Sequence, residues 1–205
     1  MSPRARSVNG AGSTAGATRR DELLGIAAQL FARNGYSQTT VRDIADEAGI
    51  LSGSLYHHFD SKETMLREIL KDFMGDLLDV FTAIVAKGEP AGTTLDELVR
   101  TAFETIHDRP FAVALYQNES STVANLEGFE FVAKTSREIE KLWIGVIQAG
   151  CDTGEFRNDL EVRLTHRFIR ETVWSSVRWY NPRGRLKHDV VATHFLSMLH
   201  GGILA

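Results

Sequence analysis

From Thr18 onward apolar residues recur every three or four positions, the mark of amphipathic helices, and no stretch alternates long enough to predict a strand. Thr18 with Asp21 matches a capping box. Leu23, Ala27, Leu30 and Phe31 then share one face, and Gly35 ends the helix. Thr40 and Asp43 repeat that arrangement before a shorter stripe of Val41, Ile44, Ala45 and Ala48, broken at Gly49. A very short third helix follows over about 52–58. Asp60 with Glu63 predicts the cap of a long amphipathic helix carrying Met65, Leu66, Ile69, Leu70, Phe73, Leu77, Phe81 and Val85. Residues 87–93, with Gly88, Pro90 and Gly92, form the first clear loop.

The second half continues in the same period. Thr94 and Glu97 predict a cap for a helix holding Leu98, Ala102 and Ile106, and Pro110 opens another. A long helix is expected over about 129–149, ending near Gly150 and Gly154. The next covers about 161–180 and is closed by Asn181, Pro182, Arg183 and Gly184. The last covers about 186–200, before two glycines. The expected fold is therefore all-α, with about nine helices.

Composition narrows the class. The chain has 205 residues, 43% hydrophobic and 24% charged, which excludes a wholly disordered or collagen-like protein. No window approaches 18 uninterrupted apolar residues, residues 1–18 contain no apolar run, and Cys151 stands alone, so a cytoplasmic protein away from the membrane is expected. A lone thiol near a helix end reads as a small buried hydrophobe. Residues 1–17, rich in Gly, Ala, Ser and Arg, read as a flexible arm; Gly10, Gly12 and Gly16 lack the spacing and the preceding strand of a dinucleotide loop.

Net charge is −4, but its distribution is uneven. Residues 1–65 are neutral, with seven basic and seven acidic groups, and four of the basic ones lie at or before Arg20 with no acid among them. Any nucleic-acid role rests on local geometry and that basic tail, not on a strong overall field.

The stretch 39–62, TTVRDIADEAGILSGSLYHHFDSK, carries the most chemistry. Two short helices joined at a glycine have the proportions of a helix-turn-helix, with support and recognition helices over about 40–48 and 52–58. On the side not taken by Leu55 and Phe59, the second helix presents Ser52, Gly53, Ser54, Tyr56 and His57, small or hydrogen-bonding groups that suit a major groove. Lys62, Thr40 and Arg42 stand at helix starts where backbone N–H groups and positive charge favour phosphate. The same pattern also fits an ordinary αα-turn with a solvated polar face.

The segment resembles the signature of the TetR family of transcriptional regulators. Gly35, Tyr36, Thr39, Thr40, Val41, Asp43, Ile44, Ala45, Ala48, Gly49, Leu55, Tyr56, Phe59, Ser61, Lys62 and Glu63 match it at fixed spacing. Leu51 and Ser52 depart from it, standing where Ser and Lys are frequent. The resemblance implies a DNA-binding domain over 18–64, a ligand-binding and dimerisation domain over 65–205, and a homodimer on a palindromic double-stranded operator. It also implies that the last two helices build the dimer interface, for which Leu164, Phe168, Ser175 and Trp179 make one stripe and Val191, Phe195 and Met198 another.

On the helix over 161–180, Arg170, Trp174 and Arg178 fall at i, i+4 and i+8, within an arc of about 80°. Two guanidiniums around an indole suit a ligand with anionic groups and a flat apolar body. A solvated face with Arg170 paired to Glu171 and Trp174 packed beneath fits the spacing as well. The run RFIRETVWSSVRWYNPRGRL resembles an actinobacterial repressor within the TetR family. That repressor controls late cholesterol catabolism, the breakdown of the last two sterol rings. Its effector is a CoA thioester of a bicyclic indanedione propanoate. The resemblance assigns the effector to Arg170, Trp174 and Arg178, and implies release from DNA on binding, with the helix starting near Lys62 as lever. A TetR-type regulator of another lipid or small-molecule operon, for efflux or fatty acids, is the alternative.

An enzyme and a structural adaptor remain as other classes. The seven histidines form no H-E-x-x-H, and no nucleophile elbow or Walker loop is present, so no catalytic residue, metal ligand or cofactor is assigned. His166 with Arg170 and Glu171 reads as salt-bridged helix surface.

Overall fold

The computed structural model describes residues 18–123 and 126–204, so the arm expected over 1–17 lies outside it. Nine α-helices appear among the described residues: α1 Arg19–Asn34, α2 Val41–Glu47, α3 Ser52–Leu55, α4 Lys62–Ala86, α5 Ala91–Asp108, α6 Pro110–Val123, α7 Glu130–Thr153, α8 Val162–Ser175 and α9 His188–Ile203. One 3-10 turn, Ser176–Arg178, follows α8, and the sole β contact in this part is the bridge between Phe156 and Leu204. The all-α expectation holds.

Local chemistry sets the boundaries. Thr18 and Asp21, and then Thr40 and Asp43, form reciprocal capping boxes at α1 and α2. Between α2 and α3 the chain turns through Gly49 at φ +66°, a backbone region that costs other residues about 1–2 kcal/mol. The cap of α4 is Ser61, whose hydroxyl accepts from the Thr64 amide, and not Asp60 with Glu63. The expected cap at Thr94 is also wrong. α5 begins at Ala91, and the Glu155 carboxylate reaches back to accept from the Ala91 and Gly92 amides at 3.2 and 2.9 Å. Thr94 is buried inside the first turn and donates to the Glu89 carbonyl.

α7 ends at Gly154, which is in the left-handed conformation and is one of its two expected closing glycines, but it runs through the other, Gly150. Gly150 serves packing instead: Phe156 folds back over it, and a Cβ there would lie 2.2 Å from the ring. α9 likewise passes through Gly201 and Gly202.

The helices enclose two hydrophobic cores. α1–α3 and the first half of α4 pack Leu23, Phe31, Ile44, Leu55, Phe59 and Leu66 together, with Leu115 of α6 and Val132 of α7 closing that core. The second half of α4 joins α5, α7, α8 and α9 around Phe81, Leu95, Phe103, Trp143, Ile169 and Leu196. A single 25-residue helix, about 37 Å long, therefore has one half in each core.

Candidate DNA-reading surface and ligand cavity

Leu55 and Phe59 are almost fully buried, and this anchoring turns the rest of α3 outward. Gly53, Ser54, Tyr56 and His57 are exposed and Ser52 is half-exposed, and Thr40 and Arg42 at the start of α2 are exposed as well. α3 closes after Leu55, and turn hydrogen bonds carry the chain on through His57 and His58. Leu51, at the N-terminal edge of α3, is 80% exposed. The Thr40 hydroxyl is taken up by the Asp43 carboxylate at 2.8 Å. That pair, through the Thr40 amide first and the hydroxyl second, holds Asp43 below the ordinary carboxylate range. Arg42 lies 3.7 Å from Asp46 and stays extended in solvent.

Two expectations about positive charge are corrected here. Lys62 does not point away from the protein. Its ammonium donates to the carbonyls of Tyr36 and Thr39 at 2.7 and 2.8 Å and sits 4.3 Å from the Tyr36 ring centroid. Burial lowers its pKa, opposed by Glu119. It is a clamp on the loop before α2, because two of its three N–H groups are already engaged. Nor are Arg19 and Arg20 a free tail. Arg19 pairs with Glu22 and donates to the Ala48 carbonyl. Arg20 forms a two-pronged pair with Glu68 and lies over Phe59.

The second site is a cavity of about 280 Å³ between α4, α6, α7 and α8. Phe73, Met74 and Leu77 of α4, Trp143 of α7, and Ile169 and Val173 of α8 give it apolar walls. Arg170 and Trp174 lie on it, and Arg170 pairs with Glu171 at 2.6 Å in the open. An exposed pair of this kind contributes about 0–1 kcal/mol, so an anionic ligand can take the guanidinium from it. Arg178 is not brought to the cavity. α8 ends at Ser175, and the tighter 3-10 turn adds about 20° per residue, which rotates Arg178 out of the expected arc to an exposed position.

His166, expected on a salt-bridged surface, is instead buried on the cavity wall beside Trp143. Sequence reasoning missed this residue, Trp143 and Arg137, and also the Tyr116–Ser136 hydroxyl pair at 2.7 Å. The signal for His166 was its place at i, i+3, i+4, i+7 and i+8 with Ile169, Arg170, Val173 and Trp174. The α7 residues left no comparable pattern.

Several large apolar side chains stand exposed on and beside α8 and α9, among charged and polar neighbours. Leu164, Phe168 and Trp179 are exposed, with Phe168 at 65%, and so are Leu186, Val190 and Met198, with Met198 at 76%. The stripe expected on the last helix is shifted: Val191 is buried, and Phe195 packs edge-on against Phe103. Ser175 is half-buried.

A helix-turn-helix over one core, joined by a shared helix to a ligand-sized cavity, is matched by two family models. The N-terminal model, bacterial regulatory proteins of the tetR family, covers residues 23–69, and the tetracyclin repressor-like C-terminal domain covers 88–203. The chain belongs to the TetR family. It is 50% identical over 185 residues to the transcriptional repressor KstR2 of Rhodococcus jostii, covering 90% of this chain and 91% of that one. With KstR2 of Mycolicibacterium smegmatis the identity is 46% over 187 residues, 91% of each chain. A solved structure of the ketosteroid transcriptional regulator KstR2 of Mycobacterium tuberculosis superposes with a TM-score of 0.90 at 43% identity, covering 93% of this chain and 97% of that one. The protein is thus a DNA-binding transcriptional repressor of a family whose members act as dimers, and not an enzyme. No described helix is long and apolar enough to cross a membrane.

Proposed function

We propose that this protein represses a steroid-catabolism operon from a palindromic operator and leaves it when an acyl-CoA thioester from sterol-ring breakdown occupies the cavity. The observation that carries the reading is the cavity, apolar in depth and bordered by Arg170 and Arg137, in a chain half identical to KstR2. Pockets for drug-sized ligands span ~300–1,000 Å³. A void of about 280 Å³ takes a fused-ring acyl group but not a whole CoA, whose phosphates then lie outside, within reach of guanidinium at the mouth.

On the DNA side, Ser52, Gly53, Ser54, Tyr56 and His57 enter the major groove, Arg42 meets phosphate, and Thr40 holds the start of α2. Leu51 offers an apolar contact of the kind that recognises a thymine methyl. The exposed faces of α8 and α9 pair two subunits, and the two α3 helices read half-sites about one DNA turn, ~34 Å, or somewhat more apart. No metal or prosthetic group is assigned.

A mobility-shift assay on the upstream region of the neighbouring operon, repeated with CoA thioesters of bicyclic ring acids and of fatty acids, tests the reading. A sequence-specific shift reversed by the ring thioesters supports it. Reversal by fatty acyl-CoA alone moves the protein to a fatty-acid operon, and absence of a specific shift removes the DNA role.

A further inference from the structure

The cavity wall carries a polar side chain that pairs with no described residue. His166 is only 3% exposed and lies on that wall, yet neither ring nitrogen is among the fully enclosed polar atoms, so the ring keeps its remaining access where it lines the cavity. The other inward residues of the same helix, Ile169 and Val173, are apolar, and the Trp143 ring lies 6.3 Å away. Burial lowers the imidazole pKa, the positive charge of Arg170 lowers it further, and Glu140 opposes them in part. At neutral pH the ring is therefore uncharged and offers one N–H and one lone pair.

A neutral donor–acceptor set in an apolar wall has a narrow choice of partners. Carboxylate and phosphate are better served by the guanidiniums at the mouth. A plain hydrocarbon leaves the imidazole desolvated and unpaired, which is unfavourable. A ketone or hydroxyl oxygen on an otherwise apolar body satisfies it. We infer that His166 is a specificity-determining contact that hydrogen-bonds a keto or hydroxyl oxygen on the fused-ring part of the ligand. The site then selects an oxygenated alicyclic acyl group over a hydrocarbon acyl group of the same shape. This deepens the proposed effector reading and rests on it for the thioester.

The test uses four probes: a bicyclic ring acid bearing ring ketones, its fully deoxygenated analogue, and the CoA thioester of each. Binding to the full-length protein is read by tryptophan fluorescence, since Trp143 and Trp174 both line the cavity. The wild type should prefer the keto compound about tenfold or more. His166→Phe should bind both members of a pair equally, and His166→Gln, which keeps a neutral donor and acceptor, should retain the preference. If His166→Phe fails to fold, histidine-ring ¹⁵N NMR of the wild type replaces it. The His166 signal, identified by its loss in His166→Gln, should then shift with the keto compound and not with its analogue. An undiminished preference in His166→Phe, equal binding of both compounds by the wild type, or an unmoved His166 signal overturns the inference. If the free acids bind with the His166-dependent preference and the thioesters do not bind, the thioester reading falls and the inference stands. Binding by none of the four overturns both.

Discussion

Lys62 separates two physical roles that predict opposite results. In Lys62→Met the apolar stem stays, while the two hydrogen bonds to the Tyr36 and Thr39 carbonyls and the contact with the Tyr36 ring disappear. A hydrogen bond to a charged group contributes about 1.5–3 kcal/mol. Here both lie at a half-buried site where the ammonium is itself penalised by burial, so the net loss is about 1.5–3 kcal/mol for the pair together. In a chain of this size that lowers Tm by about 3–12 °C. The loop released by the substitution leads into α2, so operator affinity should fall by a similar factor at every salt concentration. A phosphate contact would behave otherwise: removing it reduces the slope of log K against log salt by about 0.9. Thermal melts together with fluorescence anisotropy on a labelled operator, at four salt concentrations, distinguish them. An unchanged Tm with a slope reduced by about one unit would refute the clamp.

The cavity assignment predicts that Arg170→Met raises the thioester concentration needed to release DNA about tenfold or more, whereas Arg178→Met, away from the cavity, changes it far less; a mobility-shift titration compares them. Replacing Phe168 and Met198 together by Asp should give a monomer by light scattering and lose high-affinity binding to a palindromic duplex, because both side chains stand exposed on the faces of α8 and α9. Gly150→Ala should destabilise by about 1–3 kcal/mol in a melt, since the new Cβ would sit 2.2 Å from a Phe156 ring that is itself buried. Glu119→Ala should weaken the mutual antagonism of ligand and DNA by about 0.5–2 kcal/mol, read from operator titrations with and without thioester.

The sequence was most informative where a backbone requirement permits few residues. Thr40 with Asp43, Gly49, and the buried Leu55 and Phe59 define the reader almost unaided, because a cap, a left-handed turn and two core anchors each admit a short menu. It was least informative where tertiary contacts decide. Glu155 caps α5 from more than sixty residues away, and Gly150 makes room for the Phe156 ring rather than stopping α7. Arg178 failed for a related reason: the helical period was assumed to persist, but the backbone tightened at Ser176, which is fully buried. Lys62 shows the opposite error, a charge credited to solvent although its nearest acceptors were carbonyls of the preceding loop.

Reader and cavity are joined at the five-residue connection from Gly35 to Thr39. α4 holds it through Lys62, whose two acceptors are carbonyls of that connection, and α6 holds it through Glu119, which accepts from the Tyr36 amide at 3.1 Å. Both helices also form cavity wall, α4 through Phe73, Met74 and Leu77, and α6 through Tyr116, Gln117 and Ser120. Thr40, the cap of α2, is the next residue along. Under the proposed release, a ligand that shifts α6 against α4 acts on the start of the reader from two directions, through α6 as well as through the α4 lever. The energies are commensurate: coupling between sites is typically about 1–3 kcal/mol, close to the value of one or two such hydrogen bonds. The proposed release then needs no unfolding of either core, only a ligand-bound arrangement in which Lys62 and Glu119 cannot both reach Tyr36.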